Sequence, residues 1–124
     1  MGTHEFAYAL MPHADDWREA GVLREAALFN APLRWTTVGP AEPFAIVDGD
    51  LLLETIKRAE DSDDLVLRLY EPYGGRGVAR VHVDAKRAWR TNLLEDGGEA
   101  LQVESGAIVL PFRPREVITV KVMQ

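Results

Sequence analysis

The stretch LLLETIKRAEDSDDLVLRLYEPYGGRGVARVHV, residues 51–83, decides the fold of this 124-residue chain. It contains three short runs rich in Leu, Val and Ile, at 51–59, 64–71 and 78–83. An acidic or glycine-rich cluster separates each run from the next. Runs of this length and composition, bounded by turn residues, are typical of β-strands. The stretch therefore predicts a sheet protein whose strands are joined by short turns.

The same pattern continues on both sides of this stretch. Further strands are predicted at 33–38, 44–47, 88–95, 100–104, 107–112 and 116–122. Turns are predicted at 48–50, 60–64, 74–77 and 96–98. In the last strand, Ile118, Val120 and Val122 alternate with more polar positions, which predicts a half-buried strand. Short strands at this spacing indicate an all-β sandwich or barrel, and the length suits one domain over residues 1–124.

One segment has the period of a helix instead. Its apolar residues recur at helical spacing, namely Trp17, Ala20, Leu23 and Ala27. The ends carry capping and stop signals, which are Asp15 or Asp16 followed by Glu19 at the start, and Asn30 with Pro32 at the end. We expect one short helix near the N-terminus, with Trp17 and the apolar stripe buried in the core.

The N-terminal stretch GTHEFAYALMPH, residues 2–13, carries two histidines and a glutamate. It begins like the zinc motif HExxH, but Tyr8 occupies the second histidine position. Over 4–11 the larger residues His4, Phe6, Tyr8 and Leu10 alternate with Glu5, Ala7, Ala9 and Met11, as on the two faces of a strand. At about 3.3 Å per residue, His4 and His13 would stand roughly 30 Å apart. The stretch predicts a strand rather than a metal site.

Composition excludes several function classes. The chain has 20 acidic and 14 basic residues and a net charge of −6, so neither nucleic acid nor an anionic membrane is an expected partner. It has no cysteine, which excludes disulfides and thiol chemistry and suits a reducing compartment. No apolar run is long enough to predict a membrane span.

No motif predicts a catalytic or metal-binding residue within the chain. The acidic cluster at 60–64 lacks the glycine and glutamate of an EF-hand loop and is better explained as a hairpin turn. The GGRG run at 74–77 lacks the lysine and hydroxyl of a phosphate-binding loop. His82 lies on a strand face with Arg80 and is predicted to be a surface residue. The catalytic and metal sites are therefore predicted to be absent here.

The loop YEPYGGRG, residues 70–77, is the strongest candidate for a contact site. Its aromatic, acidic and guanidinium side chains are Tyr70, Glu71, Tyr73 and Arg76. Such groups at the tip of a predicted hairpin are able to hold a sugar or a partner surface by stacking and bidentate hydrogen bonds. The alternative is a loop whose aromatic residues pack on their own sheet.

Three stretches taken together resemble a known family: GTHEFAYALMPHADDWREAGVLREA, LLLETIKRAEDSDDLVLRLYEPYGGRGVARV and VLPFRPREVITVKV. They are similar to the C-terminal part of the α-mannosidases of glycoside hydrolase family 38, from Gly2 to Val122 and in the same order. The resemblance implies an all-β fold, a β-sandwich of short, mainly antiparallel strands with one short α-helix near the N-terminus.

The resemblance also implies a function. Family members hold their zinc and their aspartate nucleophile in a separate catalytic domain, and no segment here matches those parts. We expect a non-catalytic fragment of a longer cytoplasmic enzyme, inactive alone, whose partners are that catalytic domain and, in the complete enzyme, an α-mannoside. A domain of this kind is expected to expose an apolar patch.

The alternative function is a stand-alone carbohydrate-binding or protein-interaction sandwich module. An aromatic platform on one sheet face would favour it. Trp17, Trp35 and Trp89 fall in separate predicted elements, and the sequence does not bring them together.

Overall fold

The structure of the protein, a computed structural model, describes residues 2–31 and 42–124. It divides the chain into two compact units, Met1–Pro40 and Ala41–Gln124. The strand predicted at 33–38 lies outside the described residues. A single domain over residues 1–124 remains a prediction.

The first unit contains the helix α1, Val22–Asn30. The predicted stop at Asn30 is confirmed, and its side-chain Nδ2 donates to the carbonyl of Ala26 at 2.8 Å. The predicted start at Asp15 or Asp16 is wrong. Asp16 instead accepts the backbone N–H of Arg18 within a turn, and Gly21 adopts a left-handed φ of 70° that separates this turn from the helix.

Two other expectations for the first unit are also wrong. Residues 2–13 form no strand, because their backbone groups pair with no neighbouring strand among the described residues. No residue of α1 is buried, and Trp17 is partly exposed. Within residues 2–31, a nine-residue helix and a segment without strands offer too little apolar surface to cover the stripe.

The second unit is all-β. Within residues 42–124 its strands are β1 Ile46–Asp48, β2 Leu52–Arg58, β3 Leu65–Tyr70, β4 Gly77–His82, β5 Arg87–Thr91, β6 Glu99–Leu101, β7 Val103–Glu104, β8 Ala107–Phe112 and β9 Val117–Met123. They form a four-stranded sheet in the order β1-β4-β8-β7 and a five-stranded sheet in the order β2-β3-β9-β5-β6. Every strand pair is antiparallel. The predicted sandwich of short antiparallel strands is confirmed.

The core lies between the two sheets. Alternate residues of each central strand point inward and are almost fully buried, including Leu67, Leu69, Ile118, Val120 and Val122 from one sheet and Ala79, Val81, Ile108, Leu110 and Phe112 from the other. Burying a Leu, Ile or Val side chain in this way contributes about 1.5 to 3 kcal/mol. The half-buried pattern predicted for the last strand is therefore confirmed at its inward positions.

The strand connections differ from the prediction at three places. The loop after β3 is not a hairpin, since β3 and β4 belong to different sheets. The strand predicted at 88–95 ends at Thr91, because the Asn92 side chain accepts the backbone N–H groups of Leu94 and Asp96 and turns the chain. The strand predicted at 100–104 divides into β6 and β7, which lie in different sheets.

Candidate functional site

Two loops meet at one end of the sandwich, and together they form the candidate site. Residues 71–76 lead from β3 in the five-stranded sheet to β4 in the four-stranded sheet, and residues 113–116 lead back from β8 to β9. Tyr70 and Val117 are paired where the two loops leave the five-stranded sheet. The backbone N–H of Glu71 donates to the carbonyl of Glu116 at 2.9 Å. The candidate loop is thus fastened to a segment more than forty residues away in the sequence.

Glu71 is the centre of this arrangement. Only 2% of its surface is exposed. One carboxylate oxygen accepts the N–H groups of Tyr73 at 2.7 Å and Gly75 at 3.0 Å. The other accepts the N–H groups of Gly74 and Arg115, both at 2.8 Å. Each carboxylate oxygen therefore accepts two hydrogen bonds, and the single Glu71 side chain binds N–H groups of both loops.

The backbone conformations of the two loops make this possible. Gly74 has a φ of 81° and Arg115 a φ of 60°, so the chain turns back on itself at both places. The turns aim successive N–H groups at one point, which is how short backbone segments bind anions. The guanidinium of Arg115 also donates to the carbonyl of Pro72. The site is an anion-binding pocket whose anion is the protein's own glutamate.

The environment lowers the pKa of Glu71. Burial would raise the pKa, but the four backbone N–H groups outweigh burial and hold the pKa at about 2, below the ordinary value of 4.5. Glu71 is therefore ionised in the folded protein at neutral pH. The sequence places Glu71 among outward contacts, whereas the structure directs its carboxylate to its own loops.

This pKa predicts a pH-dependent stability. Because the folded-state pKa lies below the unfolded value, the stabilisation from Glu71 is complete above a pH of about 4.5 and is lost as the pH falls towards about 2. Urea denaturation of the wild type and of Glu71→Gln across this range measures the effect. The wild type should lose stability more steeply than the variant, which has no carboxyl group at this position. Parallel pH profiles would contradict the assignment.

The remaining predicted contact residues lie around this centre. Tyr70 and Tyr73 are half-buried, and Arg76 is exposed. The structure adds two exposed arginines from the other loop, Arg113 and Arg115. We call Arg76, Arg113 and Arg115 the cationic end. The only acidic residues in the two loops are Glu71, which is buried, and Glu116, which is half-buried, so the exposed charge at this end is positive.

Glu116 is also neutralised within the protein. Its carboxylate pairs with the guanidinium of Arg90 at 2.6 Å and accepts the backbone N–H of Arg113 at 2.8 Å. Arg90 reaches across the sandwich and donates to the carbonyl of Pro111 as well. Sequence reasoning missed the arginines of the second loop because they are distant in the chain. The dense run FRPRE at 112–116 is the only local signal that points to them.

Two further ionisable clusters of the second unit, at Asp61 and at His82, are paired surface charges. Asp61 of the turn at 60–64 bonds Lys121 at 2.6 Å, and that hydrogen bond lowers the pKa of Asp61. His82, predicted to be a surface residue, is partly exposed and stands 2.8 Å from Asp48. In the described ranges, 2–31 and 42–124, no group of three or more His, Cys, Asp or Glu side chains could hold a metal ion. The residues described do not fit a zinc site.

The comparisons with known proteins agree with this architecture. Residues 50–120 match the family described as "Glycosyl hydrolases family 38 C-terminal beta sandwich domain". Alpha-mannosidase 2C1 of Mus musculus is 38% identical over 130 residues, a match that covers 94% of this chain and 12% of that protein. Alpha-mannosidase 2C1 of Homo sapiens is 34% identical over 131 residues, covering 95% of this chain and 13% of that protein.

A third relative matches a shorter part. Alpha-mannosidase G of Dictyostelium discoideum is 30% identical over 84 residues, covering 60% of this chain and 8% of that protein. The chain thus spans about an eighth of the length of the first two relatives. No helix in the described part of the chain is long and apolar enough to cross a membrane. The match over residues 50–120, together with the two-sheet sandwich, means that the chain belongs to the family of glycoside hydrolase family 38 C-terminal β-sandwich domains.

Proposed function

We propose that the chain is the non-catalytic C-terminal β-sandwich domain of a larger α-mannosidase, in which it supports a catalytic domain of the same polypeptide. The observation that carries this proposal is the match to two α-mannosidases over nearly the whole chain but only 12% and 13% of their length. The complete polypeptide would hydrolyse α-mannosides, with its zinc held in the catalytic domain. The absence of cysteine suits a cytoplasmic location.

The cationic end is the surface that we propose to face the catalytic domain. Its three arginines make no ion pair among the residues that the structure describes, although the guanidinium of Arg115 is already bonded to Pro72. Guanidinium groups on a fixed loop are suited to pairing with carboxylates of another surface, because the planar guanidinium is preorganised and loses less freedom for each hydrogen bond that it forms. Arg76 would pair with a carboxylate of the catalytic domain, while Tyr73 and Tyr70 would pack against an apolar surface or a sugar at the rim of the substrate cleft.

The test of this proposal is Arg76→Ala in the complete polypeptide. If the guanidinium is desolvated against the catalytic domain, the change should cost roughly 2 to 5 kcal/mol of stability, whereas an exposed arginine should cost under about 1 kcal/mol. Thermal unfolding and the hydrolysis of a chromogenic aryl α-mannoside measure the effect. Arg80→Ala, which removes an exposed arginine on the outer face of the four-stranded sheet, is the matched control. Equal results for the two variants would reject the cationic end as a docking surface.

The isolated chain is expected to release no mannose from an aryl α-mannoside and to bind no zinc stoichiometrically. Its histidines are few and widely separated, and it has no thiolate ligands. The measurements are a mannoside hydrolysis assay and metal analysis after dialysis with zinc. One zinc per chain, or steady mannose release, would contradict the non-catalytic role.

A second candidate function is a stand-alone carbohydrate-binding module, and one feature of the second unit favours it. A shallow depression of about 330 Å³ is lined by Asp64, Trp89, Gly97, Gly98 and Lys121. The indole offers an apolar face to a sugar ring, and the carboxylate and ammonium groups offer hydrogen-bond acceptors and donors to its hydroxyl groups. Titration of the isolated chain with mannosides, followed by tryptophan fluorescence in the wild type and in Trp89→Phe, separates this function from a purely interdomain role.

A further inference from the structure

The loop Asn92–Asp96, between β5 and β6, lies across the outer face of the five-stranded sheet; we call it the strap. Its backbone is fixed by its own hydrogen bonds. The Asn92 side chain accepts the N–H groups of Leu94 at 2.9 Å and Asp96 at 3.0 Å. The Asn92 carbonyl accepts the N–H of Glu95 at 3.1 Å. These bonds close a compact turn that needs no partner molecule to keep its shape.

Further bonds tie the strap to strands that are not its neighbours. The Arg68 guanidinium on β3 donates to the carbonyl of Leu93 at 2.8 Å. The Glu95 carboxylate pairs with Lys57 on β2 at 2.8 Å and accepts the backbone N–H of Glu60 at 3.0 Å. Since β9 and β3 lie between β5 and β2, the strap crosses the sheet. This explains why Val66 and Thr119, which point outward, are only 1% and 2% exposed.

Holding the strap in one conformation costs backbone strain at Glu95. Glu95 is almost fully buried and has a φ of 69°, a left-handed conformation that a side chain other than glycine seldom adopts. Strained backbone persists where surrounding contacts over-determine it, and it concentrates at functional segments. The hydrogen bond from Lys57 lowers the pKa of Glu95, which keeps the ion pair in place at neutral pH.

This rigid loop exposes two adjacent leucines. Leu93 is 58% exposed and Leu94 is 78% exposed. Single exposed leucines on mobile loops are common and carry no information. Here two stand side by side on a loop whose backbone is fixed by buried charges, so their apolar side chains are presented to the outside in a defined position. Preorganised apolar side chains of this kind bind with little loss of conformational entropy.

The charges around the leucines define the chemistry of a matching surface. The strap and the adjoining β2–β3 turn contribute six carboxylates and no lysine or arginine: Glu60, Asp61, Asp63, Asp64, Glu95 and Asp96. The strands beside them contribute four cations: Lys57, Arg58, Arg68 and Lys121. The excess is negative. A surface that fits would have an apolar hollow for the leucines and lysine or arginine side chains around it.

We infer that Leu93 and Leu94 are an apolar anchor by which this domain docks into a hollow, bordered by basic residues, on the rest of a longer α-mannosidase polypeptide. The inference rests on the proposed function, because the relatives are about eight times longer than the chain and the matching hollow would lie in that additional sequence. The same outer face carries exposed Val117, paired with Tyr70 beside the cationic end. The anchor thus adds an apolar element to the docking surface proposed above.

Carbene labelling with mass spectrometry compares the complete polypeptide with the isolated chain. Labelling of the peptide that carries Leu93 and Leu94 should fall at least about fivefold in the complete polypeptide, since the centre of an interface excludes solvent. Val78, which is 60% exposed on the other sheet, is the internal reference and should change less than about twofold. Equal labelling of the leucines in both samples would overturn the anchor. If protection of the leucines from labelling in the isolated chain rises with protein concentration, the surface binds a second copy of the chain, and the anchor is also overturned.

A variant gives an independent readout. Leu93→Ser with Leu94→Ser in the complete polypeptide should speed protease release of this domain roughly tenfold, whereas Val78→Ser should not. In the isolated chain the double variant should keep the wild-type denaturation midpoint, because both leucines are already exposed. An unchanged cleavage rate in the complete polypeptide would reject the anchor. Mannoside hydrolysis is measured on the same samples. If the complete polypeptide is active but its strap is labelled as in the isolated chain, the anchor is rejected and the proposed function stands. If the strap is protected from labelling but the polypeptide is inactive, only the proposed enzyme activity is rejected.

Discussion

Replacing Glu71 by glutamine should lower the free energy of unfolding of the chain by about 3 kcal/mol at neutral pH, because the folded state holds the carboxyl pKa at about 2, below its ordinary value of 4.5. The amide removes the negative charge and replaces one of the two acceptor oxygens by an NH2 group, so two of the four backbone N–H groups would face a donor instead of an acceptor. The loops 71–76 and 113–116 should loosen together. Urea denaturation at neutral pH measures the loss.

Glu99→Gln provides the matched control for this change. Glu99 is exposed on the edge strand β6, so the same chemical change should alter stability by less than about 0.5 kcal/mol. Amide hydrogen exchange adds a local readout, since Gly74, Gly75 and Arg115 should lose protection in Glu71→Gln only. Equal stability of the two glutamine variants would show that the Glu71 carboxylate is not what holds the two loops together.

Replacing Leu67 by alanine should lower the free energy of unfolding by about 2 to 5 kcal/mol. Leu67 is fully buried at the centre of β3 and lies between the two sheets in the core. β3 is hydrogen-bonded to β2 on one side and to β9 on the other. The residues around Leu67 therefore cannot readily move into the space left by the lost side chain. Denaturant unfolding measured by tryptophan fluorescence gives the value.

Leu94→Ala tests the same chemistry at an exposed position. Leu94 is mostly exposed on the strap, so its truncation should change the stability of the isolated chain by less than about 0.5 kcal/mol. Comparing the losses in free energy of unfolding of the two alanine variants measures how much of the Leu67→Ala effect comes from burial. If Leu67→Ala were as mild as Leu94→Ala, the position of β3 in the sandwich would be wrong.

Most strand positions could be predicted from the sequence because the signals for a strand are local. The runs at 64–71, 107–112 and 116–122 alternate or are uniformly apolar and end at turn residues, and β3, β8 and β9 occupy nearly the same residues. The turn at 60–64 joins two strands that do pair, as its acidic cluster predicts. The failures over residues 4–11 and at the start of α1 have a common reason. Alternating residues form a strand only where a neighbouring strand pairs with them, and capping residues begin a helix only where the helix continues after them.

The sequence by itself therefore determined the class of the fold, the existence of most strands and the absence of catalytic motifs from the chain, since these depend on neighbouring residues. Only the tertiary structure decided which sheet each strand joins, that the 70–77 loop passes between sheets, and that Glu71 faces inward to bind Arg115, 44 residues away. It also decided that Asn92–Asp96 crosses the sheet to reach Lys57 and leaves two leucines outside. Sheet pairing and ion pairs between distant segments follow from packing the whole chain, and no local pattern encodes that choice of partner.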